Sequence, residues 1–504
     1  MSSPPSPASR DHALAAVLII AGLKLLLHLL TNGEYGFHRD ELATLDDARY
    51  LDWGYVAYPP FTPFVGRVAL TLFGPSLSGA RFFPALAMSL CVVLAGLMAR
   101  ELGGARAAQV TAALAVAISP VVLGASALFQ YVAFDFLWWV VIGYGLLRLA
   151  NTDDPRWWLG VGAAIGFGVE TKYTIGLCVL GVVAGVLIAR PRDLRSKWLW
   201  AGVVLSVLIA SPNFIWQAQH DFISVEFLKS IHARDVGLGR TAGFLTDQFK
   251  EAANPVTIPL WILGALTLVR SWRQGRERML ACYVGVPFVL FVVLKGRGYY
   301  AAPLYPVLLA AGAVAAEAAM GRLGAVTRRR VRVFQWTLFV VGAAVAMIAL
   351  PIAPVGSAWW RFALEQNDDL AEEVGWPELV QTIASVYSSL PVDERARTGI
   401  IASNYGEAGA VNLYGKALGL PEAISGVNSY WARGYGNPPP TTLIVLGSRR
   451  ESLDRVFSSC EVAAHTPNPL NVRNEETERH PDIFVCRQMK VTWPELWPRI
   501  RSFG

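Results

Sequence analysis

The sequence predicts a polytopic α-helical membrane protein of about eleven transmembrane helices, closed by a small external α/β domain. Three observations predict it. The 504 residues are 54% hydrophobic and only 16% charged, against the quarter or so of charged residues in a soluble protein. The mean hydropathy is +0.39. Apolar stretches such as Ala13–Leu30, Phe82–Ala99, Trp198–Ile215 and Val333–Ile352 recur along the chain, each near the ~20 residues that cross ~30 Å of hydrocarbon.

In order, the spans are expected near 12–31, 80–99, 107–124, 132–150, 157–169, 174–190, 198–216, 254–271, 279–294, 300–319 and 333–354. Every second connection is short and basic: Arg100 and Arg106; Arg148 and Arg156; Arg190, Arg192, Arg195 and Lys197; Arg270, Arg273, Arg276 and Arg278; Arg322 and Arg328 to Arg330. The positive-inside bias assigns these to the cytoplasm. The intervening connections, including 32–79 and 217–253, then face outside, as does everything after 355. A cytoplasmic N-terminus, an external C-terminus and residence in the inner (plasma) membrane follow. The first run is not read as a cleavable signal, because the polar Asn32–Asp40 segment follows it rather than a small-residue cleavage site.

The chain divides at about 355. Residues 1–355 form the transmembrane part with its external loops. Residues 356–504 regain charge, Pro, Asn and Gly, and alternate helix-like (Trp376–Leu390, Glu407–Leu418) with strand-like (Arg397–Ser403, Thr441–Leu446, Asp482–Arg487) runs, a pattern of small α/β domains. Of five cysteines, Cys91, Cys178 and Cys282 lie in expected spans as apolar fillers. Cys460 and Cys486 are the pair in the external tail, open to a disulfide or to two free thiols. No CxxC or His-rich spacing suggests a metal site.

The first external loop is the richest in chemistry, running from Glu34 through His38-Arg39-Asp40-Glu41 to Tyr58-Pro59-Pro60-Phe61. Leu42, Leu45, Ala48 and Leu51 recur at helical spacing. They predict an amphipathic helix on the membrane surface, starting at Asp40-Glu41 and ending before the proline pair. Two acids at a helix start are favoured by its dipole, so capping alone would account for them. Beside His38 and Arg39, either could also act as a general base. Asp135, alone among aromatics in Phe129–Trp139, needs a partner or a task at membrane depth. External cations run against the positive-inside bias: Lys172 in Glu170-Thr-Lys-Tyr173, Arg234 in the loop after His232, and Lys295 and Arg297 in Lys-Gly-Arg-Gly-Tyr299-Tyr300. Arg and Lys suit phosphate, although each could simply snorkel to headgroups.

The Arg39-Asp40-Glu41 loop, Tyr58-Pro59-Pro60-Phe61, the Asp135 span and the Lys172 turn resemble the bacterial family 39 glycosyltransferases. These are GT-C enzymes related to protein O-mannosyltransferases and to the lipid A aminoarabinose transferase. Lys295–Pro306 is similar to that family's Tyr-Leu-x-Pro-x-x-Pro stretch, and the resemblance covers about residues 12–355. It implies an inverting transfer of a hexose or pentose from a polyprenyl-phosphate donor to a hydroxyl of a lipid, glycan or protein. Asp40 would be the catalytic base, with Glu41 and Asp135 as further acids of the site. Lys172, Arg234, Lys295 and Arg297 would face the donor phosphate, and His38, Arg39, Tyr58, Tyr299 and Tyr300 the acceptor and loops. Where the aminoarabinose enzymes carry Lys-Pro-Pro, this chain has Tyr58-Pro59-Pro60, which argues against an aminoarabinose donor. No obligatory cofactor is expected; a divalent metal has no support in the sequence, and no nucleic acid is expected as partner. Two rivals stand beside the enzyme: a transporter or flippase, expected to show inverted repeats and mid-helix charges, and a non-catalytic envelope protein whose tail binds a partner.

Overall fold

In the computed structural model, which describes residues 7–250, 252–272 and 275–504, every expected span falls on a helix. These are α1 (Pro7–Thr31), α4 (Leu77–Glu101), the pair α5 (Arg106–Ala117) and α6 (Pro120–Ala127), α7 (Tyr131–Thr152), α8 (Trp157–Val169), α9 (Ile175–Ala189), α10 (Lys197–Gln219), α13 (Ile258–Arg270), α14 (Gly275–Val293), α15 (Tyr305–Gly321) and α16 (Ala325–Ala346). Among the described residues, six helices are long and apolar enough to cross a membrane, or up to eight if each bent pair counts as one span. The remaining expected spans are the shorter α8 and α9, and α14, whose first turn carries Arg276, Glu277 and Arg278. Pro120 breaks the α5–α6 pair, which bends by 56°, because a proline cannot donate to the preceding turn. Arg273, one of the expected basic residues, lies outside the described residues. The chain is a multi-pass membrane protein.

The connections between the spans hold further helices: α2 (Arg39–Asp47), α3 (Phe61–Phe73), α11 (Ile223–Gly237) and α12 (Phe244–Lys250). α2 differs from expectation in two ways. It ends at Asp47, with Ala48 as its C-cap, so Leu51 stands outside it and is 42% exposed. Its apolar side is also turned away from lipid. Leu42 and Leu45 are buried in one core with Val380, Ile383, Val411 and Ile444 of the tail. The helical spacing holds for Leu42 and Leu45 but not for Leu51, and the tail supplies a protein surface where the membrane was expected.

The tail contributes α17 (Ala358–Gln366), α18 (Trp376–Ser389), the short α19 (Val392–Arg395) and α20 (Tyr405–Tyr414). Its five strands are β1 (Thr398–Ala402), β2 (Ala423–Ser425), β3 (Thr442–Leu446), β4 (Phe457–His465) and β5 (Asp482–Met489). They form one mixed sheet in the order β2-β1-β3-β5-β4. β1 runs parallel to both neighbours, whereas β5 is antiparallel to β3 and β4. All five positions of β3 are buried, as the near-continuous apolar run of a strand covered on both faces requires. β4 shows mostly exposed residues, and this edge strand carries no apolar alternation to betray it. Cys460 lies opposite Cys486 across β4 and β5, and the two are bonded.

Candidate active site

The site is built around the start of α2. His38 is its N-cap: its ring Nδ1 accepts from the Asp40 backbone N–H at 3.2 Å, and its own backbone N–H donates to Glu41 Oε2 at 2.8 Å. This reciprocal arrangement satisfies amides that a helix start leaves open. Glu41 points inward. Arg81 donates to both of its oxygens, at 2.9 and 2.6 Å, and the Phe129 amide donates at 2.6 Å. Both Glu41 and Arg81 are fully buried, and Arg81 also reaches Glu373 at 3.2 Å. Burial pushes the Glu373 carboxyl up to about 7 even with Arg81 beside it. Glu41 is therefore an anchor with no free face, and does not join the cavity wall.

Asp40, one residue earlier, faces the other way, onto a cavity of about 990 Å³ between the membrane helices and the tail. Its Oδ1 accepts from the Tyr405 hydroxyl at 2.7 Å, and its Oδ2 accepts from the Gln130 side chain. Each carboxylate oxygen has two lone pairs, so each retains one after these bonds.

Lys172 lines the same cavity. Its ammonium sits over three tyrosine rings, 5.1 Å from the centroid of Tyr131, 5.6 Å from Tyr299 and 4.3 Å from Tyr300. Among the described residues, no carboxylate forms an ion pair with it. A cation held by ring faces keeps its hydrogen-bond donors for an anion.

The other expected cations are used differently. Arg297 lines the cavity but is committed to Asp235 through two bonds of 2.7 Å. Arg234 also lines it and lies 3.8 Å from Asp235. Lys295 is exposed and lies off the cavity wall, so the structure does not bring it to the others. Asp135 is likewise off the wall, accepting from Trp139 Nε1 at 3.1 Å and Thr174 at 3.4 Å. The sequence left Asp135 needing a partner or a task, and the structure gives it these two partners.

The remaining loop residues reach the cavity with partners of their own. Tyr58 donates to Asp47 at 2.7 Å. Asp47 is also held by Arg433, yet burial raises its carboxyl to about 6. Arg39 is gripped by tail carboxylates, Glu475 at 2.7 Å, Glu476 at 3.3 Å and Glu372 at 3.8 Å. Among the described residues, no group of three or more His, Cys, Asp or Glu is placed to hold a metal ion.

The sequence reading missed Gln130, Tyr131 and Tyr405. The first two stand in the quoted stretch before Asp135, but neither is ionised at neutral pH, and attention to charge passes them over. Tyr405 is 365 residues from Asp40, and no local pattern links the two. The nearest clue is Asn404-Tyr-Gly-Glu407, a capping signature opening a helix directly after a strand.

Residues 57–216 match the family model described as dolichyl-phosphate-mannose-protein mannosyltransferase. The chain is 24% identical over 292 residues to the lipid A galacturonosyltransferase RgtD of Rhizobium johnstonii, covering 56% of this chain and 60% of that one. It is 26% identical over 370 residues to undecaprenyl phosphate-alpha-4-amino-4-deoxy-L-arabinose arabinosyl transferase 1 of Pseudomonas fluorescens, covering 68% and 66%. The matches thus span three fifths to two thirds of these relatives. Its fold is similar to that of ArnT from Cupriavidus metallidurans bound to undecaprenyl phosphate, with a TM-score of 0.56 at 16% identity over 93% of this chain and 97% of that one. The oligosaccharyltransferase of Archaeoglobus fulgidus is also similar, with a TM-score of 0.50 at 14% identity, over 81% of this chain and 64% of that one. The architecture is the GT-C fold.

Proposed function

We propose that this GT-C membrane protein, related to the protein mannosyltransferases and aminoarabinose transferases, is an inverting glycosyltransferase. It moves a sugar from a polyprenyl-phosphate donor to a hydroxyl of an envelope lipid, polysaccharide or protein. The observation that carries this reading is one cavity holding both an accessible carboxylate, Asp40, and an ammonium, Lys172, that forms no ion pair with a carboxylate among the described residues. The chemistry needs these two groups. The acceptor oxygen forms a bond to the anomeric carbon while the bond from that carbon to the phosphate oxygen breaks. Asp40 takes the acceptor's proton, and Lys172, with Arg234 beside the same space, stabilises the charge gathering on the departing phosphate. One displacement inverts the anomeric configuration, and the step requires no metal. The relative named for undecaprenyl phosphate supports a lipid-linked donor, and the relative named for lipid A supports an envelope lipid as acceptor.

The test for the donor is direct. In purified protein with an undecaprenyl-phosphate sugar, Lys172→Ala should lower kcat/KM for the donor by about tenfold to a hundredfold, the range of a hydrogen bond to a charged group. An unchanged kcat/KM would reduce Lys172 to a packing residue.

The cavity belongs to the external face, with the basic connections in the cytoplasm of an inner-membrane protein. Reporter fusions after Gly104, Lys197 and Arg276 should read as cytoplasmic, and fusions after Asp52, Asp235 and Pro440 as external. An external signal from any basic connection would overturn this orientation.

A further inference from the structure

The chain leaves β1 and enters α20 in two residues. Asn404 caps α20 by accepting from the Glu407 amide at 2.8 Å, and Glu407 accepts in return from the Ser403 amide at 3.2 Å. β1 lies between β2 and β3, both parallel to it. The carboxyl end of such a strand is where an open α/β sheet ordinarily receives its ligand.

Here that place is filled by the chain's own first loop. A Cβ on Gly406 would come within 2.8 Å of the Arg39 Cβ, and one on Gly409 within 2.7 Å of the Leu42 backbone. Glycine at these two positions lets α20 lie directly on α2. The grip continues along α2: tail carboxylates hold Arg39, Asn412 donates to Asp46 at 3.0 Å, and Arg433 pairs with Asp46 and Asp47.

At the centre of this contact, the Tyr405 hydroxyl donates to Asp40 Oδ1. Burial and the charge of Asp40 push the phenol well above its ordinary range, so it stays protonated and remains a donor. Gln130, from the membrane part, holds the other oxygen. Two donors from two parts of the chain thus fix the rotation of one carboxylate.

We infer that the C-terminal domain is an integral part of the catalytic centre, and that Tyr405 is a positioning residue that orients Asp40 towards the acceptor hydroxyl. The inference rests on the reading of Asp40 as the base.

Tyr405→Phe isolates the hydroxyl, because it keeps the ring that packs under the Arg39 guanidinium 5.4 Å away. It should lower kcat by about tenfold to a hundredfold, leave the donor KM within twofold and leave the melting temperature in place. In an Asp40→Asn background the same substitution should cause no further loss, since groups that act as a unit are not additive. Gln130→Met, which removes the second donor, should show the same kcat-only loss. Wild-type kcat in Tyr405→Phe would overturn the inference, and so would an equal proportional loss with and without Asp40. Near-normal transfer by Asp40→Asn alone would instead overturn the reading of Asp40, and so the two failures are distinguishable.

Discussion

Asp40→Asn should cut sugar transfer by ~10²-fold or more, the scale of a lost general base, while the protein melts where the wild type does. The two outcomes separate because Asp40 does not cap its helix. That task belongs to His38, with Glu41 reciprocating, so little helix stability depends on the Asp40 side chain. Asn keeps the shape and one accepting oxygen for Tyr405, and Gln130 can turn its amide to meet the new NH₂ group. What disappears is the capacity to take a proton. Sugar transfer by purified protein in detergent, with the thermal melt as control, measures both. Transfer near the wild-type rate would remove Asp40 from the chemistry.

Arg81→Ala should have the largest effect on stability. One guanidinium, buried to 0% exposure, serves Glu41 and Glu373 together. Its loss leaves two buried carboxylates without a counter-charge, at a cost of ~3–5 kcal/mol. The pH dependence has a definite sign. A carboxyl raised to about 7 in the folded protein, as Glu373 is, favours the fold when protonated, and that contribution fades as the pH rises through 7. The variant should therefore be weaker at pH 8 than at pH 6. Thermal melts at the two pH values give the comparison, and an unchanged melt at both would show that this cluster does not hold the loop.

The parts of the fold legible in the sequence are those written in local patterns. Long apolar runs located the spans, and helical periodicity located α2. The charge exceptions pointed to Asp40, Lys172, Arg234 and Arg297, all four of which share the cavity. What escaped depends on distant contacts. The apolar face of α2 looks the same whether its partner is lipid or α20. Glu41 and Asp40 are adjacent and chemically alike, and only the position of Arg81, 40 residues on, decides which is buried. Lys295 and Arg297 are separated by one glycine, yet only Arg297 turns into the cavity. Tyr405 carries no charge to attract notice, and its importance is visible only once the tail is laid on the first loop.

The packing of α2 against α20 also sets an order of assembly. A ribosome makes Leu42 and Leu45 long before it makes Val411 or Ile444, with which they share a core. During synthesis, the first loop therefore waits outside the membrane with an uncovered oily stripe while the later spans insert. Contacts between residues so far apart along the chain form slowly and late. A chain halted before residue 405 would keep its spans but leave this stripe open to proteases and holding chaperones. Quality control could thus recognise an unfinished molecule by its earliest loop.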